Sequence, residues 1–139
     1  MGHTCRAITL SCMDFRFVEG LFAFMKQTGL LGESDLVAWA GAGKPFLDTK
    51  EFEFVKGQIA KSRELHQSVE VHIVQHHDCG GYGGFDGHFA DKNAERAFHK
   101  GEVDKVRNIL QKEFGPEVKV IGYFSDMDDA GNVHVSAME

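Results

Sequence analysis

The chain has 139 residues, a formal charge of -6 and a pI near 5.7. That acidic balance excludes nucleic acid and an anionic membrane surface as main partners. No apolar run approaches the roughly 20 residues of a membrane span and no signal-peptide core follows Met1, so we expect one cytoplasmic domain over residues 1–139.

Arg6 to Ser11 is a short apolar run with β-branched residues and reads as the first strand. Phe17, Leu21, Phe24 and Thr28 recur at helical spacing and predict a helix to about Gln27, ended by Gly29 and Gly32. Leu36 to Ala40 is a second strand, closed by Gly41-Ala42-Gly43. Asp48 with Glu51 resembles a capping box, opening a helix that carries Phe52, Val55 and Ile59 on one face to about Leu65. Val69 to Gln75 is the third and most strand-like run. Beyond the glycine-rich loop, Asp91 to His99 reads as a short helix and Glu102 to Phe114 as a separate, longer one, stopped by Gly115-Pro116. Val118 to Phe124 is a fourth strand. A turn at Asp128 to Gly131 leads into a short antiparallel edge strand, Asn132 to Ser136.

This alternation predicts a single-domain α/β fold with a mostly parallel four-stranded sheet in order 2-1-3-4, flanked by helices. The crevice then opens at the carboxyl ends of strands one and three, where the winding reverses. Two groups of reactive residues sit at those ends. Ser11-Cys12-Met13-Asp14-Phe15-Arg16 follows strand one, and His76-His77-Asp78-Cys79 follows strand three. Cys12, His76 and Cys79 can converge as three zinc donors that leave a fourth position open, the pattern of catalytic zinc. His76 is the better donor, three residues before Cys79; His77 is the fallback. Alternation along an extended segment would point Cys12, Asp14 and Arg16 the same way. Asp14 would then occupy the open position or accept a proton from water on the metal, with Arg16 holding its carboxylate. His77, His88 and Tyr82 are unranked candidates for passing a proton to solvent. Cys5 and His72 read as packing and strand residues. The phenylalanines at 22, 24, 52, 54, 85 and 89 read as core or subunit interface.

Cys12-Met13-Asp14-Phe15-Arg16 resembles the Cys-x-Asp-Ser-Arg motif of the β-class carbonic anhydrases, and His76-His77-Asp78-Cys79-Gly80 resembles their His-x-x-Cys-Gly. The resemblance implies zinc on Cys12, His76 and Cys79, an Asp14–Arg16 dyad beside it, and reversible hydration of carbon dioxide to bicarbonate by a zinc-bound hydroxide. It also implies a homodimer or higher homo-oligomer, and a switch in which Asp14 moves onto the metal. Phe15 stands where the family has Ser, and with strand one expected to begin at Arg6 we expect no counterpart of the family's N-terminal helical arm. Gly80 to Gly84 extends the second motif with glycine. Two other functions suit the same residues: hydrolysis of carbonyl sulfide or carbon disulfide, and a silent zinc-binding dimer with Asp14 as fourth ligand. The Gly41-Ala42-Gly43-Lys44-Pro45 stretch lacks the residues of a phosphate loop.

Overall fold

A computed structural model describes residues 2–138. Five strands form one sheet in the order β2-β1-β3-β4-β5: β1 (Ala7–Cys12), β2 (Ser34–Trp39), β3 (Glu70–His76), β4 (Lys119–Met127) and β5 (Val133–Ala137). The first four run parallel and β5 runs antiparallel to β4. The expected strand order holds. Three helices cover the sheet: α1 (Val18–Gln27), α2 (Phe52–His66) and α3 (Lys92–Phe114). No helix among the described residues is long and apolar enough to cross a membrane.

The period of two along the strands sorts side chains between two layers. Ile8 and Leu10 of β1 join Val71 and Ile73 of β3 beneath Ile59 of α2 and Val106 and Leu110 of α3. Ala7 and Val74 face the other way, onto Leu21, Phe24 and Met25 of α1. β1 is buried on both faces, which is why its sequence runs apolar without alternating. Full burial of each Leu or Ile contributes about 1.5–3 kcal/mol, so the larger layer dominates stability. His72 is likewise a strand residue: it is buried, with Tyr123 Oη at 2.9 Å from Nδ1 and Glu70 at 2.9 Å from Nε2.

Two local expectations change. Asp48 accepts hydrogen bonds from the backbone of Lys50 and Glu51, so it caps a preceding turn and α2 begins later, at Phe52. The two helices read between Asp91 and Phe114 are one continuous helix, capped by Asp91 accepting from the backbone of Ala94. Gly101 lies within it. Nothing meets the space its missing side chain leaves, so the glycine only weakens the helix, by about 1 kcal/mol relative to alanine, and does not break it. Replacing Gly101 with Ala should therefore raise stability by about 0.5–1 kcal/mol in urea denaturation. A chain that is unchanged or destabilised would mean the helix is interrupted there.

The upper rim of β4 is finished by side chains. β5 pairs with Tyr123 to Met127 only. Upstream, the carbonyls of Val118 and Val120 accept from Gln111 Nε2 and Arg107 Nε of α3, and that of Gly122 from the backbone of Met138.

Candidate metal centre

β1 and β3 are paired neighbours, with Ser11 opposite Val74, so the residues just beyond meet at one end of the sheet. One donor atom each from Cys12, His76 and Cys79 lies within 4.8 Å of the other two. The two sulfurs are 3.9 Å apart. Tetrahedral zinc with Zn–S bonds of about 2.3 Å holds two thiolates about 3.8 Å apart, so the pair is spaced for that ion. His76 Nδ1 donates to the carbonyl of His77 at 2.7 Å, which leaves the lone pair on Nε2. That Nε2 is buried with no hydrogen bond of its own. A buried, unpartnered acceptor beside two close sulfurs is the condition of a ligand set. His77, the fallback donor, turns away: its Nδ1 lies 2.7 Å from Glu95 Oε1.

The backbone supports both sulfurs. The N–H of Gly41 bears on Cys12, and those of Gly81 and Tyr82 bear on Cys79, each favouring the thiolate. Two close thiols ionise unequally. The hydrogen bond from Cys79 lowers Cys12 to about 4 against the opposing effect of burial. Cys79, donating that bond and buried, is held well above the usual thiol range. Of the two thiols Cys12 is therefore the readier to ionise, and a cation between the sulfurs would favour loss of the second proton. Gly81 has no room for a side chain, since a β-carbon there would stand 2.9 Å from the backbone nitrogen of Gly41. The loops after β2 and β3 interlock at that contact.

Asp14 and Arg16 do pair, but by a different route from strand alternation. β1 ends at Cys12, and Asp14 caps a 3-10 turn, Phe15–Phe17, by accepting from the backbone N–H of Arg16 at 2.9 Å. The Arg16 side chain folds back onto the same carboxylate, donating from Nε to Oδ1 at 3.1 Å and from Nη2 to Oδ2 at 2.7 Å. It also reaches Asp78 Oδ2 at 3.1 Å and the Asp78 carbonyl at 3.0 Å. Hydrogen bonds from Arg16 hold Asp14 below the usual carboxylate range, and the Phe85 N–H followed by Arg16 do the same for Asp78. Asp14 Oδ2 lies 3.8 Å from His76 Nε2, at the edge of the donor set. Phe15 points outward, 86% exposed, so it does not crowd the dyad.

Three buried polar residues escaped the reading of the sequence. Glu95 of α3 is fully buried; its Oε1 meets His77 and its Oε2 accepts from the Asp78 N–H at 2.8 Å. That grip holds Asp78 at φ 57°, the left-handed turn from which Cys79 bends back toward Cys12. Gln75 accepts from the Gly43 N–H at 2.8 Å and donates to the Gly41 carbonyl at 3.3 Å, fastening the loop that faces Cys12. Its Nε2 also stands 3.3 Å from Nδ1 of His99, a fully buried imidazole. Gln75 was visible as a polar residue at the end of an apolar strand. Glu95 and His99 carry no such signal, because a helix of unknown orientation hides which face it buries. Of the proton-relay candidates, the Tyr82 hydroxyl is buried and pushed up by burial and by Glu102, whereas His88 is exposed. Cys5, read as packing, lies within 4.8 Å of donor atoms of Asp35 and His66.

A family model described as "Putative carbonic anhydrase" matches residues 2–136. The chain belongs to that family. A protein of Rickettsia conorii described only as uncharacterized is 29% identical over 126 residues, covering 87% of this chain and 67% of its own length. A second, from Rickettsia bellii, is 26% identical over 126 residues, covering 87% and 76%. Among solved structures, a tetrameric β-carbonic anhydrase of Sordaria macrospora superposes with a TM-score of 0.50 at 16% identity, covering 99% of this chain and 84% of that one. This carbonic anhydrase family member therefore has the β-class fold, as its motifs led us to expect.

Two measurements test the buried network. Glu95→Ala strands the Asp78 N–H and His77 Nδ1 in the interior and should cost about 3 kcal/mol or more in urea denaturation, whereas Glu95→Gln, which keeps an acceptor and a donor, should cost less. A surface-like loss below about 0.5 kcal/mol for the alanine variant would contradict the geometry. Burial lowers His99 from 6.5 to about 4. The unfolded chain therefore binds the extra proton between those values, so this contribution is present above about pH 6.5 and is lost as pH falls toward 4. We expect about 2 kcal/mol of stability to disappear between pH 7 and pH 5, with a flatter profile in His99→Leu. Identical profiles would show that His99 does not titrate in this way.

Proposed function

We propose that Cys12, His76 and Cys79 bind one zinc ion and that the chain catalyses the reversible hydration of carbon dioxide to bicarbonate. The observation that carries this reading is the convergence of two paired sulfurs and an unpartnered imidazole nitrogen beside a carboxylate clamped by arginine. Zinc with three protein donors retains a position for water and lowers the pKa of that water to about 7.

The chain's own residues then have distinct tasks. The His77 carbonyl fixes the tautomer of His76. Asp14, kept ionised by Arg16, acts only as an acceptor; it orients the reacting water and does not return a proton to it. Arg16 ties this carboxylate to Asp78, and so joins the loop after β1 to the loop after β3. Proton release to solvent falls to His77 or His88, since the Tyr82 hydroxyl retains its proton. A cleft of about 480 Å³ between the loop after β2 and the start of α2 mixes apolar side chains (Trp39, Pro45, Phe54, Val55) with charged ones (Lys44, Asp48, Lys50, Glu51); it meets the loop after β3 only at Gly81 and includes none of the three donors, so it does not define the substrate's place. Exposed Met13 and Phe15 next to the dyad support assembly into a homodimer or larger homo-oligomer.

The closeness of Asp14 to the donor set also supports a silent form in which Asp14 fills the fourth position. Stopped-flow hydration of carbon dioxide, run with metal analysis, separates the readings. The wild type should carry one zinc per chain and outrun buffer. Cys12→Ser should lose both metal and rate. Asp14→Ala should keep the metal while kcat falls by about 10²-fold or more. Full zinc with no rate above buffer rejects the hydratase and leaves the silent site. Turnover of carbonyl sulfide or carbon disulfide in its place would reassign the substrate.

A further inference from the structure

The opposite end of the sheet carries a second set of donors. Cys5 precedes β1, Asp35 lies in β2 and His66 is the last residue of α2. One ligating atom from each lies within 4.8 Å of the other two, the same closeness found for Cys12, His76 and Cys79. β1 separates the two clusters; at about 3.3 Å per residue they lie roughly 20 Å apart. They share no residue.

The arrangement has more structure than a chance surface grouping. Asp35 presents both oxygens to His66 Nδ1, at 2.9 and 2.8 Å. Its Oδ2 also accepts from Ser62 Oγ at 2.7 Å, and Ser62 is paired with Ser68 Oγ at 2.7 Å. The backbone of Cys5 donates to the carbonyl of His66 at 3.0 Å, which fixes the entry to β1 against the end of α2. The thiol makes a 3.3 Å contact with the Ala7 carbonyl, a weak use of a sulfur, and also bears on the Asp35 carboxylate. All three side chains are partly exposed, so an ion has a path in. The exposed ring of His3 stands 5.0 Å from that of His66, centre to centre.

One thiol, one carboxylate and one imidazole, with a second imidazole adjacent, form a mixed soft and hard set that matches zinc-like ions. It offers too few oxygens for calcium or magnesium. We propose that Cys5, Asp35 and His66 form a second metal site for a zinc-like divalent ion, with His3 as the fourth donor and Ser62 orienting the carboxylate. An ion there would staple three segments that are far apart in sequence and stabilise the fold through binding.

Cobalt(II) titration of the full-length Cys12→Ser/Cys79→Ser chain tests this, because Cys5 is then the only cysteine left. One cobalt per chain should bind with a thiolate-to-metal charge-transfer band. Adding Cys5→Ser should remove the band, and adding His66→Ala should weaken binding by more than the about 10-fold that an outer-shell partner is worth. Absence of the band, or its survival in the Cys5→Ser background, overturns the proposal. The otherwise unaltered chain supplies an independent arm if the double serine variant does not fold. Stripped with chelator and reloaded with zinc, it should hold one more ion per chain than its His66→Ala variant and should melt at a higher temperature when loaded. Equal metal content in the two chains also overturns the proposal. Loss of the Cys12 centre alone leaves that one-ion difference intact, so failure here and failure of the hydratase reading are separable.

Discussion

The pairing of β1 with β3 is the constraint on which the candidate centre rests. Parallel strands joined by right-handed crossovers place the first strand between the second and third, and every side chain beyond Ser11 and Val74 inherits that neighbourhood. Cys12 lies 67 residues from Cys79, yet the register alone brings their ends together. The apolar layers on both faces of the sheet make this register expensive to change, since a slip by one residue would turn Ile8, Leu10 and Ile73 into the wrong layer.

On that frame, two buried polar residues, Glu95 and Gln75, and the exposed Arg16 set the finer geometry. Glu95 reaches from α3 to the loop after β3, Gln75 reaches from β3 to the loop after β2, and Arg16 bridges the loops after β1 and β3. Each reaching group ends on backbone as well as on side chain, so it positions a turn and not merely a neighbour. Glu95 and Gln75 are costly to bury and become worthwhile only when their hydrogen bonds are made. The two sulfurs depend on the same turns, because the amides of Gly41, Gly81 and Tyr82 face them.

The strand order, the three donors and the dyad were legible in the sequence because each rests on local pattern: strand periodicity, a motif at a strand end, and a topology with few alternatives. Glu95 and His99 were not, because a helix split in error at Gly101 conceals which of its residues share a buried stripe. The Asp14–Arg16 pair was legible as a pair and misjudged as a geometry, since a capped turn and an extended strand place the same residues together by different means. The grouping of Cys5 with Asp35 and His66 was not legible for a simpler reason: they are 30 and 61 residues away, and no spacing rule joins them.

The finish of β4 limits how copies of this chain can associate. With the carbonyls of Val118, Val120 and Gly122 already occupied by Gln111, Arg107 and Met138, a strand from another molecule finds its acceptors taken along that margin. The sheet therefore cannot be lengthened there into a continuous intermolecular ribbon. That stretch of β4 is closed to strand addition in the folded chain, so any strand joining the sheet from another molecule is directed to its two edge strands, β2 and β5.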